Sequence, residues 1–458
     1  MGKEDFARAV KGARMMKARL LFSRLRPDIS LHISPKGGSL STKKTRYSFS
    51  ISRLTAKALI ACDGTKRLNE ILDNLYHDHS TETPIELCQV AVELANLISN
   101  GILETDVKPF YALPHVTGDF EILYPVNLQV ELTTGCNLNC YYCYRNAHFS
   151  KDTNRLPTAD LLRILDDLGR RGLKSVELTG GEPMFHPDFL RIFEFCKDRF
   201  ELVGLLTNGT MLTKAALDCM RTVKDKIVVS VSLDSHDSAK HDLRRGRQGA
   251  HARTTEAISN FASLGLLTRV SMAVDEDNWE DIEGTATLAQ SLGARLFTHA
   301  PILPFGRGQQ SSKQWTRNAH DVLASEQHLQ KRFAGFFDLM PETVLARIGE
   351  PGGCGAGWRA YAMDPKGMVR PCVTFDEHLA IFGDLTLQSP EEVFGGALAQ
   401  AFAELRPPNE ESCNGCENAL FCRNCAYRGL NASLALGRES CTWLREPKIG
   451  AWLNLIEG

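Results

Sequence analysis

Between residues 120 and 310, short apolar and β-branched stretches alternate with helical ones. No other feature constrains the fold as much. VNLQVELT, KSVELTG, LVGLLTN, IVVSVSLD, TRVSMAV and RLFTHAP read as strands. Stretches such as ADLLRILDDLGRR and KAALDCMRTV read as the helices between them. Regular βα alternation implies a parallel sheet joined by right-handed crossovers. Six such units make an open, partial barrel rather than the closed eight, with chemistry expected at the C-terminal ends of the strands. The stretch CNLNCYYCY, residues 136–144, follows the first strand and so belongs on that rim.

The flanks differ from this region. Residues 1–27 read as a basic arm: residues 1–26 carry eight Lys/Arg against two acids, with interspersed apolar side chains, and Pro27 ends the stretch. A solvated amphipathic helix or loose arm is expected there, with a partner-docking or membrane-surface helix as the alternative. Residues 28–108 read as a separate module. ISLHIS and RYSFSIS are strand-like, LTAKALIACDG reads as a short helix stopped by Asp63-Gly64, and RLNEILDNLYHDH and ELCQVAVELANLISNG show helical periodicity. Two strands and three helices of this size suggest a winged-helix shape, which raises DNA binding. Charge argues against it, because nine Asp/Glu and only two Lys/Arg lie between Ala61 and Asp106. The whole chain has a formal charge of −2, which points to no nucleic-acid partner. No apolar run is long enough to span a membrane, so no stable membrane insertion is expected. The N-terminus lacks a secretory pattern, so a cytoplasmic location is expected.

Fourteen cysteines are many for such a location, where clustered thiols more often bind metal than form disulfides. Cys62, Cys88, Cys196 and Cys219 stand alone and are expected to be small buried side chains. The other ten form two groups. Cys136, Cys140 and Cys143 are three thiols within eight residues, one too many for a disulfide and one too few for a tetrahedral zinc site. Three thiolates suit a four-iron cubane with one iron left open to a small molecule. The second group, in the Gly- and Cys-rich residues 311–458, is Cys354, Cys372, Cys413, Cys416, Cys422, Cys425 and Cys441. Its C-x2-C pairs alone would suit structural zinc ribbons.

The C-x3-C-x2-C spacing with Tyr142 before the last cysteine resembles the radical S-adenosylmethionine (SAM) enzymes. Thr179-Gly-Gly-Glu-Pro183 at the end of the second strand resembles that family's SAM-binding motif. Asn208, Ser232 and Asp234 at the ends of the third and fourth strands, and an arginine at 244 or 245, match further family segments. PFGRG, residues 304–308, resembles the loop after the sixth strand. The resemblance implies a [4Fe-4S] cluster on Cys136, Cys140 and Cys143. It also implies SAM bound by Gly180, Gly181, Glu182, Pro183, Asn208, Ser232, Asp234 and, as first choice, Arg245. A 5′-deoxyadenosyl radical would abstract a substrate hydrogen after one-electron reduction by a donor such as flavodoxin or ferredoxin. The fold implied is α/β: a partial (β/α)6, TIM-like radical SAM barrel over 120–310, behind a winged-helix-like module.

The seven C-terminal cysteines resemble the SPASM extension, so residues 311–458 are expected to hold two auxiliary iron–sulfur clusters, also four-iron. Family pairing would give Cys413, Cys416, Cys422 and Cys441 to one. Cys354, Cys372 and Cys425 would share the other. No cysteine lies between Cys219 and Cys354 to serve as its fourth ligand, and the last spacing is x2 where the common pattern has x3. The 28–108 module resembles the RiPP recognition element, which takes an extended leader peptide as an added strand. Together these imply oxidative modification of a ribosomally made precursor peptide, as a thioether or carbon–carbon crosslink. The alternatives are a sulfatase formylglycine maturase, a small-molecule-modifying relative, or, in a different class, a zinc-stabilised scaffold or DNA-binding regulator. Val373 after Cys372 stands where the formylglycine makers have an acid. The sequence offers no assignable general base.

Overall fold

A computed structural model describes residues 21–42, 48–78, 84–149, 154–302, 306–309, 319–334, 355–375, 380–409, 411–416, 419–422, 425–436 and 441–457. It divides into two compact units, residues 1–124 with 170–172, and residues 125–169 with 173–458.

Among its described residues the first unit holds two sheets and three helices. Strands β1 (Phe22–Leu25), β5 (Asp63–Arg67) and β6 (Leu103–Asp106) form an antiparallel sheet in the order β5-β1-β6. The second sheet runs β4-β3-β2-β7, from β2 (Ile29–Ser34), β3 (Gly37–Thr42), β4 (Ser48–Ile51) and β7 (His115–Gly118). Helices α1 (Arg53–Ile60), α2 (Leu68–Asp78) and α3 (Pro84–Ser99) complete it. Ser52 caps α1 by accepting the Thr55 N–H. Leu25, Ile29, Leu31, Leu59, Ile71 and Leu94 are part of one buried core.

Three expectations are corrected here. The arm assigned to 1–27 is, at its described end, the central strand of a sheet. Phe22 to Leu25 pair with Asp106 to Leu103. Residues 1–20 lie outside the described residues. Asp63-Gly64 does not stop a helix, which already ends at Ile60; it begins β5. The unit also extends past 108, because β7 pairs in parallel with β2. All three depend on pairing between distant segments, which leaves little local pattern. Of the isolated cysteines, Cys62 and Cys196 are buried, whereas Cys88 and Cys219 are only half-buried.

In the second unit six parallel strands follow in sequence order: β8 (Asn127–Glu131), β9 (Ser175–Thr179), β10 (Leu202–Thr207), β11 (Ile227–Ser232), β12 (Leu267–Val274) and β13 (Leu296–Pro301). The crossovers carry α4 (Thr158–Arg171), α5 (Phe189–Arg199), α6 (Lys214–Arg221), α7 (Ser238–Arg245), α8 (Ala250–Ser263) and α9 (Ile282–Ser291). Helix α4 buries Leu161, Ile164, Leu165 and Leu168, one stripe at helical spacing. The sheet does not end at β8. Beside it in parallel lies β14 (Ala360–Met363), followed by the antiparallel strands β15 (Met368–Arg370) and β16 (Gly383–Asp384). The C-terminal region thus contributes an extension of the barrel sheet. Behind it Phe402 meets Phe375, Phe382 and Trp452 edge-on, with ring centroids 5.5, 5.7 and 5.2 Å apart. Among the described residues no helix is long and apolar enough to cross a membrane.

Leu25 is 1% exposed. Replacing it with alanine is expected to destabilise the first unit by roughly 2–5 kcal/mol, read by chemical denaturation or proteolysis. A solvated arm would show almost no change.

Candidate active site

The loop after β8 carries Cys136, Cys140 and Cys143, which gather with Leu138, Ala147 and Ala250. It has no regular structure of its own and is held by three neighbouring segments. From the loop after β9, the Gly181 N–H donates to the Thr133 carbonyl (2.8 Å) and the Glu182 N–H to the Gly135 carbonyl (2.9 Å). A Cβ on Gly181 would stand 2.1 Å from the Gly135 oxygen, so only glycine allows this approach. At the end of α7 the Arg245 carbonyl accepts the Asn139 N–H (3.1 Å). After β13, Arg307 donates from Nε to the Cys140 carbonyl (2.7 Å) and from Nη2 to the Ala147 carbonyl (2.8 Å). Gly306 beside it has φ +56°, and a Cβ there would lie 2.4 Å from the Tyr144 oxygen. Pro304 and Phe305 of that loop lie outside the described residues.

Besides the Leu138 N–H, 3.4 Å from Cys136 Sγ, two polar side chains reach the thiols. Asn208 Nδ2 is 3.8 Å from Cys136 Sγ, and Arg245 Nη1 is 3.8 Å from Cys140 Sγ. Burial, then the nearby Glu182 carboxylate, pushes the Cys136 thiol up to about 12. Burial also raises Cys140, against the pull of Arg245. Such thiols ionise when a metal supplies the opposing charge, and three of them suit an iron–sulfur cluster. Among the described residues no group of His, Cys, Asp or Glu is close enough to enclose a single metal ion. A cubane asks for less convergence, because its thiolates sit on separate irons.

The structure separates the two candidate arginines. Arg245 Nε lies 3.0 Å from the Asp234 carboxylate, without a well-aligned hydrogen bond. Asp234 also accepts from the Tyr142 hydroxyl and from the Ala273 N–H (3.1 Å). Burial pushes its carboxyl up, but Arg245 and Arg244 outweigh that and hold it below the usual range. Arg244 instead joins a second buried set. Its Nη1 donates to Asp275 (2.7 Å) and to the Tyr141 hydroxyl, which donates to Asp275 at 2.6 Å. Arg307 and Tyr141 lie in the PFGRG and CNLNCYYCY stretches but had no role assigned there, and nothing in the sequence pattern marked Asp275; the contacts of all three join residues 30 or more apart.

Other candidates brace protein as well as line the site. Glu182 is fully buried; it accepts from Thr207 Oγ1 (2.7 Å) and the Asn208 N–H (2.8 Å), tying the ends of β9 and β10 together. Burial raises its pKa to about 7. Gly180 precedes Gly181 in the same turn, and Pro183 starts the single 3-10 turn that Glu182 caps. Ser232 ends β11 and is half-buried.

In the C-terminal region Cys372 and Cys425 line one small cavity with Trp358, Phe375, Phe402 and Tyr427. Cys354 lies outside the described residues. Burial and then the neighbouring Cys413, Cys416, Cys441 and Cys425 push Cys422 up to about 12. Burial also raises Cys413, with Cys416 and Cys441 nearby.

Two outcomes test this geometry. Gly306→Val should release the iron held at the Cys136 loop, read as less iron per chain and lost SAM cleavage relative to wild-type protein reconstituted in parallel. Burial, with Arg245 beside it, holds His241 down to about 3, and its Nδ1 accepts the Asp234 N–H. Because the unfolded histidine titrates near 6.5, unfolding takes up a proton below that pH. Stability should therefore be full above pH 6.5 and decline as pH falls toward 3. Denaturant unfolding of metal-free protein between pH 8 and 5 should show a weaker decline in His241→Asn.

Residues 130–289 match the Radical SAM superfamily, and residues 354–417 match SPASM, an iron–sulfur cluster-binding domain. The chain is 29% identical over 448 residues to the antilisterial bacteriocin subtilosin biosynthesis protein AlbA of Bacillus subtilis, covering 95% of this chain and 99% of that one. It is 28% identical to the mycofactocin maturase MftC of Mycobacterium tuberculosis, over 65% of this chain and 77% of that one. Its fold resembles that of Streptococcus suis SuiB bound to precursor peptide SuiA, with TM-score 0.60, 18% identity and coverage of 89% and 97%. The barrel, the three-thiol rim loop and both domain matches place this chain among the radical SAM enzymes with a SPASM domain, whose cofactors are SAM and iron–sulfur clusters.

Proposed function

We propose that this enzyme oxidatively modifies a ribosomally made precursor peptide, forming a thioether or carbon–carbon crosslink. The observation that carries the reading is the alignment with a bacteriocin biosynthesis protein over 95% of the chain, which takes in the first unit as well as the barrel. The mycofactocin maturase and SuiB with its precursor peptide support it. A small-molecule modifier would have no need of the first unit.

In this reading Cys136, Cys140 and Cys143 hold a [4Fe-4S] cluster beside SAM. Together these cofactors supply one-electron cleavage of a sulfonium and a carbon radical that takes hydrogen from substrate. The chain's own residues hold and shield. Arg245, buried and with an imperfectly aligned Nε, offers a guanidinium to the SAM carboxylate. The turn at Gly180 and Gly181 receives the amino group, and Ser232 stands where the ribose would lie. Asn208 and Arg245 donate toward sulfur, which tunes a cluster's potential. Glu182 and Asp234 act through what they brace. A low-potential flavodoxin or ferredoxin supplies the electron.

The first unit takes the leader. Among the described residues strand β4 is the outer strand of its sheet, so its backbone edge can accept another strand. Ser52, just past β4, donates to Glu93 of α3, which ties the end of that edge strand to the helix. On α3, Ile85 and Val92 are 59% and 57% exposed and stand seven residues apart on one face. In this reading the edge pairs with the backbone of an extended segment, and the apolar face takes its apolar side chains.

The C-terminal cysteines hold two auxiliary clusters: Cys413, Cys416, Cys422 and Cys441 one, and Cys354, Cys372 and Cys425 the other. The second has one iron open to water, a non-cysteine ligand or a substrate thiolate.

Anaerobically reconstituted protein is expected to contain about twelve irons per chain and negligible zinc. About four irons with one or two zincs would make the C-terminal cysteines structural. SAM cleavage with candidate peptides from neighbouring small reading frames should yield a peptide lighter by two hydrogens. Cleavage with no change in any such peptide would argue for another substrate.

A further inference from the structure

Glu131 ends β8 with its carboxylate wholly buried, and two arginines meet it. Arg145 Nε is 2.9 Å from one oxygen, and Arg370 Nη2 is bonded to the other. Their side chains are 12% and 1% exposed. Arg370 also donates to the Phe375 carbonyl at 3.2 Å. The Tyr144 hydroxyl lies near all three, and burial foremost raises its pKa, so it stays neutral.

The origin of the three side chains gives this set its meaning. Arg145 follows Cys143 by two residues. Arg370 closes β15 and precedes Cys372 by two residues. Glu131 ends the strand between them, since β14 lies directly beside β8. Among the described residues, these three side chains, one carboxylate and two guanidinium groups, sum to a net charge of +1 where little water screens it. An unbalanced buried cation is costly unless anions stand nearby. Thiolate-bound clusters at Cys143 and Cys372 would be such anions.

We propose that the Arg145–Glu131–Arg370 triad positions the rim loop against the C-terminal loop and, through its excess positive charge, raises the reduction potential of the clusters bound there. The inference rests on the reading of Cys143 and Cys372 as cluster ligands. All three are positioning residues. A positive charge favours the reduced, more negative cluster, so the two kinds of charge change should act oppositely.

The experiment is an EPR-monitored redox titration of reconstituted protein, with iron content measured on each sample. Arg370→Met removes a positive charge and should shift a cluster potential in the negative direction. Glu131→Gln removes the negative charge and should shift it in the positive direction. Arg370→Lys keeps the charge and should stay near wild type. A triad that only supports the fold would lower iron content in both neutralising variants without shifts of opposite sign, and that result overturns the proposal. If Arg370→Met retains no iron, Arg145→Met carries the same expectation. Wild-type protein with twelve irons but unshifted variants would refute the triad alone. Wild-type protein with no cluster at Cys372 would refute the underlying ligand reading and the triad with it.

Discussion

Everything in the active region depends on holding three thiols in a loop that cannot hold itself. Residues 132–149 form neither helix nor strand, and their backbone polar groups find many of their partners outside the loop. Three segments provide them: the glycine turn after β9, the end of α7 and the loop after β13. Each follows a different part of the parallel sheet, so the loop's shape exists only when the sheet is assembled. The same contacts bring Asn208 and Arg245 to the sulfur atoms. Residues that brace the loop and residues that reach its sulfur atoms are therefore the same.

Charge is organised around that loop in layers. Arg245 with Asp234 and Tyr142 makes one buried set, and Arg244 with Asp275 and Tyr141 a second. Arg145, Glu131 and Arg370 make a third, on the side where the sheet continues into the C-terminal region. Buried ionic groups add little net stability against apolar replacements of similar volume, but breaking one partner away is costly. That asymmetry suits a site whose parts must keep a fixed arrangement while electrons and a reactive carbon radical pass through.

The sequence made much of this readable. Six strand segments, their order and their parallel direction followed from the alternation of apolar runs with amphipathic helices such as α4. Cys136, Cys140 and Cys143 were legible because three thiols so close together suit few metal centres. Arg245 could not be told from Arg244, since adjacent residues on a helix differ in direction and only packing reveals which turns to the thiol. Strand β1 read as an arm because FSRL has four residues and its partners lie as far away as Asp106. Strand β14 went unread for the same reason, with its partner β8 more than 200 residues upstream.

What the sequence determined by itself is local chemistry: which segments become strands or helices, and which short loops carry thiols or paired glycines. These follow from side-chain periodicity, from the backbone freedom of glycine and from the affinity of clustered cysteines for iron. The tertiary structure alone decided the company these groups keep. It set Arg307 on the carbonyls of Cys140 and Ala147, enclosed Glu182 between two strand ends, and extended the barrel sheet by β14. Through that last pairing Arg370 and Arg145 came to share Glu131. Such contacts join segments tens to hundreds of residues apart, and their energy comes from burial and charge pairing that exist only once the chain has closed on itself.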